Sequence, residues 1–258
     1  VVGYKPSYGL ISRSGVLKVS DKLDTIGVFG RSVKDVALLA KSLIRKDLYD
    51  ASTIYFSSDR MLDVCEEKLE FDPKFIFYKT KNWKNINKKS QEAFEFLIKS
   101  FKKNIEIYDE PSYFKEIPKY HQIIHEVDMA NNFQVYYDKD KSKLSKEMND
   151  AISRGLKYSA KDYSDAIDFM KQSYDSYKEV FEDYYGILTP SSNGVADKGL
   201  GSTGSADFQK IWTYLGLPAI SLPLLTGEND LPLGLQLVGN KFDAVSYTHL
   251  RAHETRGN

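Results

Sequence analysis

The 258-residue chain is poor in cysteine, with one, and in tryptophan, with two, and its 36 basic residues are balanced by 36 acidic ones. A lone Cys65 cannot form an intramolecular disulfide and reads as a small buried hydrophobe in a reducing compartment, so it is given no role and a cytoplasmic location is expected. With no net charge, no overall field draws the chain to nucleic acid or to an anionic membrane. No apolar run approaches the roughly 18 residues needed to cross a bilayer. Eight prolines and 16 glycines are too few to build a linker that would divide the chain. What is left is the composition of an ordinary globular protein, 41% hydrophobic and 28% charged.

The patterns that are present alternate between helix and strand. Ser32 followed by Asp35 is a capping box, and Val33, Val36, Ala37, Ala40, Leu43 and Ile44 then recur at helical spacing. After Pro73 the apolar run Phe75-Ile76-Phe77-Tyr78 suits a buried strand, and Ile105-Glu106-Ile107-Tyr108 suits a second. Between them Ala93, Phe94, Leu97, Ile98 and Phe101 mark a helix, so residues 75–108 spell the strand, helix, strand unit of parallel sheets. Pro111 is expected to open a further helix through Tyr120, Ile123, Ile124 and Val127. A polar helix pair follows, and its second member starts at the capping box of Ser159 and Asp162. Ile187-Leu188-Thr189-Pro190 reads as a strand, residues 191–205 as a loop, and Phe208, Ile211, Trp212 and Leu215 as a helix closed by Gly216 and Pro218. Strands over 219–222 and 233–238 complete one α/β domain.

Three blocks near the start carry a family resemblance. They are Gly3-Tyr4-Lys5-Pro6-Ser7-Tyr8-Gly9, then Ser20 with Leu23-Asp24-Thr25-Ile26-Gly27, then Arg31-Ser32-Val33-Lys34-Asp35. Towards the other end stand Leu188-Thr189-Pro190, Trp212-Thr213-Tyr214-Leu215-Gly216-Leu217-Pro218-Ala219 and Leu231-Pro232-Leu233-Gly234-Leu235-Gln236-Leu237-Val238-Gly239. In order and spacing these blocks resemble the amidase signature family. The resemblance implies an α/β/α sandwich around a mixed central sheet, with residues 1–243 as a C-terminal portion of the domain. It also implies hydrolysis of a non-peptide amide through an acyl-serine intermediate, with a small-molecule amide as substrate and no cofactor or metal. The family's nucleophilic serine, its second serine and its lysine base precede the first block, so they are expected upstream of Val1. No position here matches them, no catalytic residue is assigned, and the chain by itself is expected to be inactive. Trp212, Tyr214, Thr203 and Gly204 are the substrate-binding candidates, each weighed against a plain core or turn role. One alternative is the A subunit of a tRNA-dependent amidotransferase, whose pattern N-L-A-G-L-P differs from Thr213-Tyr214-Leu215-Gly216-Leu217-Pro218. Another is a non-catalytic descendant used for binding.

Other constellations are weaker. The spacing S-x-x-K at Ser100 with Lys103 and at Ser112 with Lys115 lies among charged residues, where an exposed lysine keeps a pKa near 10.4 and is a poor base. Ser12, Ser14 and Ser20 suit turns or caps. Lys74, Lys79, Lys81, Lys84, Lys88 and Lys89 around Tyr78 and Trp83 could contact RNA, but this run contains no arginine and reads as a solvated loop, so no nucleic-acid partner is expected. His249 and His253 have the four-residue spacing of a zinc pair. The segment around them resembles translated sequencing adapter, so residues 244–258 are read as non-native. The oligomeric state is not written in these patterns.

Overall fold

The computed structural model of the chain describes residues 1–109, 111–201 and 203–243. The reading of residues 244–258, with His249 and His253, lies outside the described residues. Seven strands form one sheet: β1 (Val2–Lys5), β2 (Val28–Gly30), β3 (Phe75–Lys79), β4 (Ile105–Asp109), β5 (Gly186–Pro190), β6 (Ala219–Thr226) and β7 (Pro232–Val238), in the order β2-β1-β6-β7-β5-β3-β4. β3 is parallel to β4 and β5, and the other pairings are antiparallel, so the sheet is mixed as expected. The helices are α1 (Val33–Leu43), α2 (Met61–Val64), α3 (Lys88–Ser100), α4 (Ile117–Lys139), α5 (Lys146–Gly155), α6 (Ala160–Lys178), α7 (Val180–Asp183) and α8 (Lys210–Tyr214).

Strand alternation sends each sheet face to its own core. Val2, Tyr4, Leu188, Ile220, Leu235 and Leu237 pack with Val33, Val36, Ala37 and Ala40 of α1 and with Phe94, Leu97 and Ile98 of α3. On the opposite face Ile76, Tyr78, Ile187, Ala219 and Val238 pack with α4, α6 and α8 through Ile123, Ile124, Ala166, Tyr177, Ile211 and Trp212. Each large apolar side chain buried this way contributes roughly 1.5–3 kcal/mol, which makes a helix layer on both faces favourable.

Local chemistry sets the helix ends. Both capping boxes form, with Ser32 accepting from the Asp35 amide and Ser159 from the Asp162 amide, and each aspartate answering the cap backbone. Pro111 does not open the long helix. A 3₁₀ segment occupies Ser112–Glu116, and α4 begins at Ile117 with Pro118 in its first turn, where the missing N–H has no intrahelical partner to lose.

Buried polar groups tie the loops after β1 to the helices. Asp128 of α4 accepts from Ser20 Oγ at 2.6 Å, from Tyr163 OH at 2.7 Å and from the Lys22 amide at 3.2 Å. Arg13 meets Asp50 through Nε and its second terminal nitrogen, both at 3.1 Å, and its hydrogen bond holds the Asp50 carboxyl well below the usual carboxylate range. Cys65 is buried and donates to Met61 O.

α4 and α5 cross at Gly155, where an added Cβ would stand 2.0 Å from Glu126 O and 2.9 Å from the Ala130 Cβ. Gly155→Ala is therefore expected to force the helices apart and to cost about 1–3 kcal/mol or more. A urea midpoint equal to that of the unaltered chain would contradict this crossing.

Candidate functional site

The second core face turns polar towards the end of β5. Ile187, Val238 and Ala219 belong to that core, so Thr189, Gln236 and Ser221, each two residues along its strand, project to the same side. Thr189 stands opposite Gln236, and Gln236 opposite Ser221, forming a polar row across three strands. Ligands of open α/β sheets bind outside the carboxyl ends of strands, which makes this row and the elements over it the candidate site.

Side-chain bonds hold the row in place. Gln236 Nε2 donates to Phe208 O at 3.3 Å, and Gln209 Nε2 donates to Ser191 O. Ser191 Oγ and Ser221 Oγ share a hydrogen bond of 2.7 Å. Gly234 makes room for them, since a Cβ there would lie 2.7 Å from one hydroxyl oxygen and 3.0 Å from the other. Thr189 Oγ1 and Trp212 Nε1 are enclosed with no hydrogen-bond partner among the described residues, each at a cost of about 1–3 kcal/mol. Among the described residues no imidazole, amine or carboxylate is hydrogen-bonded to Ser191 or Ser221. The row can orient a neutral polar group, but it lacks the adjoining base that activates a serine.

The four predicted substrate-binding residues divide into two pairs. Trp212 and Tyr214 sit on α8 at 1% exposure. Trp212 packs edge-on against Tyr78 at 5.7 Å and Tyr177 at 5.8 Å, and Tyr214 OH donates to Ala166 O at 2.9 Å. Thr203 and Gly204 are exposed on the loop before α8, Gly204 with φ 78 and no atom within 4 Å of where a Cβ would stand. The aromatics are thus part of the second core, and the loop residues face solvent.

His121 went unread in the sequence, although its four-residue spacing to His125 on a helix was visible there. Its ring lies 6.5 Å from that of Tyr214 and stacks on His125 at 6.0 Å. Burial first, then the charges of His125 and Lys210, push His121 down to about 4. Lys210 of α8 is held by Asp207 at 3.0 Å. Around α8 the site thus presents a neutral imidazole rather than a second cation.

The competing constellations resolve as structural features. Ser100 Oγ donates to Phe96 O at 2.8 Å, Lys103 is solvated, and Ser112 and Lys115 are exposed. Ser12 bonds to Asp47 at 2.6 Å, receives the Ser14 amide and, like Ser20, orders a turn. Tyr78 is fully buried, and Trp83 packs on Phe77 and Phe94 with Lys79 Nζ 4.8 Å from its ring centroid, so both aromatics of the lysine-rich segment are engaged from within. Among the described residues no group of three or more His, Cys, Asp or Glu could hold a metal ion, and no helix is long and apolar enough to cross a membrane.

Between pH 6.5 and about 4 the unfolded chain protonates His121 and the folded chain does not, so folding stability is lost as pH falls through that window. His121→Gln is expected to flatten this part of the stability profile. An NMR titration of the His121 ring with a midpoint near 6.5 would refute the burial argument.

Known proteins align with the whole of this architecture. The A subunit of glutamyl-tRNA(Gln) amidotransferase from Ehrlichia ruminantium (strain Gardel) is 28% identical over 278 residues, covering 94% of this chain and 57% of that protein. Its counterpart from Thermotoga maritima is 26% identical, over 94% of this chain and 57% of its own length. The chain thus spans little more than half the length of the curated relatives it matches. Among solved structures, an amidase superposes with TM-score 0.75 at 21% identity, over 97% of this chain and 56% of its own. A 6-aminohexanoate cyclic dimer hydrolase superposes with TM-score 0.78 at 17% identity, over 98% and 59%. These two share the fold. The family model described as Amidase matches residues 1–246, and the chain belongs to that family.

Proposed function

We propose that the protein carrying this chain hydrolyses the carbon–nitrogen bond of a small non-peptide amide through an acyl-serine intermediate. The observation that carries this reading is the Amidase match over residues 1–246. In this reading the nucleophilic serine, the second serine and the lysine base lie outside residues 1–243, which supply structure and substrate contacts. Trp212 and Tyr214 set the floor of the acyl pocket, Thr203 and Gly204 border it, and the Ser191 and Ser221 hydroxyls offer neutral hydrogen bonds to the bound amide. No cofactor takes part.

A second reading has its own support, because curated relatives covering 94% of this chain are named as the A subunit of glutamyl-tRNA(Gln) amidotransferase. In that case the amide is glutamine, the released ammonia passes to an acyl-tRNA, and the expectation of no nucleic-acid partner fails. Thr213-Tyr214-Leu215-Gly216-Leu217-Pro218, in place of the amidotransferase pattern, favours the stand-alone enzyme.

Ammonia release separates these readings. The 258-residue chain is expected to give no more ammonia than buffer from benzamide, propionamide or glutamine, whereas a longer protein that joins it to the family's two serines and lysine is expected to release ammonia and carboxylate one for one from the simple amides. Turnover by the 258-residue chain would refute the division of labour. Release from glutamine alone would establish the second reading, and a longer protein inert towards the whole panel would overturn both.

A further inference from the structure

Asn193 is the one asparagine of the chain that is followed by glycine, Gly194. The pair lies in the loop after β5, outside helix and strand, and both residues are half-buried, leaving part of each open to water. Asn82, Asn87, Asn104, Asn132, Asn149 and Asn240 each engage their side-chain amide in a hydrogen bond. Asn193 Oδ1 has no partner among the described residues, so no such bond is lost when its Cγ turns towards the next main-chain nitrogen. That nitrogen is free as well. Among the described residues the Gly194 N–H donates to no acceptor, and glycine puts no side chain beside it.

The main-chain carbonyl between the two residues is held differently. Asn193 O accepts the Asn87 N–H at 3.4 Å, and Asn87 is the N-cap of α3, its own Oδ1 accepting from the Ser90 amide at 2.9 Å. A Cβ on Gly194 would stand 2.5 Å from Asn87 Nδ2, so the loop rests directly on the start of that helix. α3 has 13 residues and no acid in its first turn. Glu228 reaches that turn from outside, accepting from Ser90 Oγ at 3.2 Å, and leaves the Asn87 N–H to Asn193. A negative charge on Asn193 O would meet the positive end of the helix.

We propose that Asn193 is a site of spontaneous deamidation and that the start of α3 directs its product to isoaspartate. The Gly194 nitrogen gives its proton to solvent and attacks the Asn193 Cγ. The Cγ–Nδ2 bond breaks, ammonia leaves with a proton from water, and a cyclic imide remains. Water then adds to either imide carbonyl. Addition at Cγ gives aspartate. Addition at the main-chain carbon breaks its bond to the Gly194 nitrogen, so the chain runs on through Cβ and Cγ and Asn193 O becomes a carboxylate oxygen. The Asn87 N–H already donates to that oxygen and stabilises the charge that grows on it, whereas Oδ1 has no donor. The loop from Ser191 to α8, which bears Thr203 and Gly204, gains one main-chain carbon and one negative charge. This site is independent of both functional readings, since it needs no enzyme and no substrate.

The test is incubation of the 258-residue chain at pH 8.5, folded and in denaturing guanidinium chloride, with peptide mass spectrometry that separates aspartate from isoaspartate. In the folded chain Asn193 is expected to convert at least about tenfold faster than Asn149 or Asn229, each of which precedes an aspartate, and Gly194→Ala should slow it by about as much. The isoaspartate share at Asn193 should be higher in the folded chain than in guanidinium chloride, where α3 no longer donates to it. An Asn193 that converts no faster than those two, a rate unmoved by Gly194→Ala, or the same isoaspartate share folded and unfolded would each overturn the proposal.

Discussion

Strand β6 holds this sheet together. On one side it pairs antiparallel with β1 through Gly3, Tyr4 and Lys5, and on the other with β7 along most of its length. Without it the sheet would separate into the β2-β1 pair and the β7-β5-β3-β4 block, since no other strand joins them. Both faces of β6 are committed as well, Ile220 and Leu222 to the core beneath α1 and α3, Ala219 to the core beneath α4, α6 and α8. A single strand therefore fixes the relative position of the two halves and of both helical layers.

Everything at the candidate site descends from that placement. α8 leads directly into β6 through Gly216, whose φ of 67 allows the reversal, and the Gly216 carbonyl receives the Tyr8 amide. Trp212 and Tyr214 are therefore positioned by that backbone hydrogen bond to the segment after β1 and by their own burial. The polar row of Thr189, Gln236 and Ser221 exists because three strands alternate in register on that face. A one-residue slip of β7 would turn Gln236 and Gly234 towards the opposite core and remove the hydroxyl pair's space.

Much of this was legible in the sequence, for identifiable reasons. The capping boxes at Ser32 and Ser159 are local, since cap and partner lie three residues apart, and both form. The strand, helix, strand unit from Phe75 has strong periodicity, and β3 and β4 are indeed parallel. β1 and β2 escaped reading because they are four and three residues long and β1 runs into Pro6, leaving no periodicity to detect. Pro111 misled because a proline tolerated in a first turn also suits a 3₁₀ segment, and Pro118 took the helical role. At the site, aromatic residue types gave Trp212 and Tyr214 but could not say which way they point. His121, Ser191 and Ser221 become neighbours of the site only through contacts distant in sequence.

The pairing of β1 with β6 also governs when the chain can fold. Gly3 must find Ser221, about two hundred residues later, so the sheet cannot close until nearly all of these residues have been synthesised. At roughly 5–20 residues per second, β1 waits about 10–40 s for its partner. Throughout that interval Val2, Tyr4 and Val28, all buried in the finished core, have nothing of β6 or β7 to cover them. The order of synthesis thus leaves one edge of the future sheet uncovered for most of the time the chain is being made.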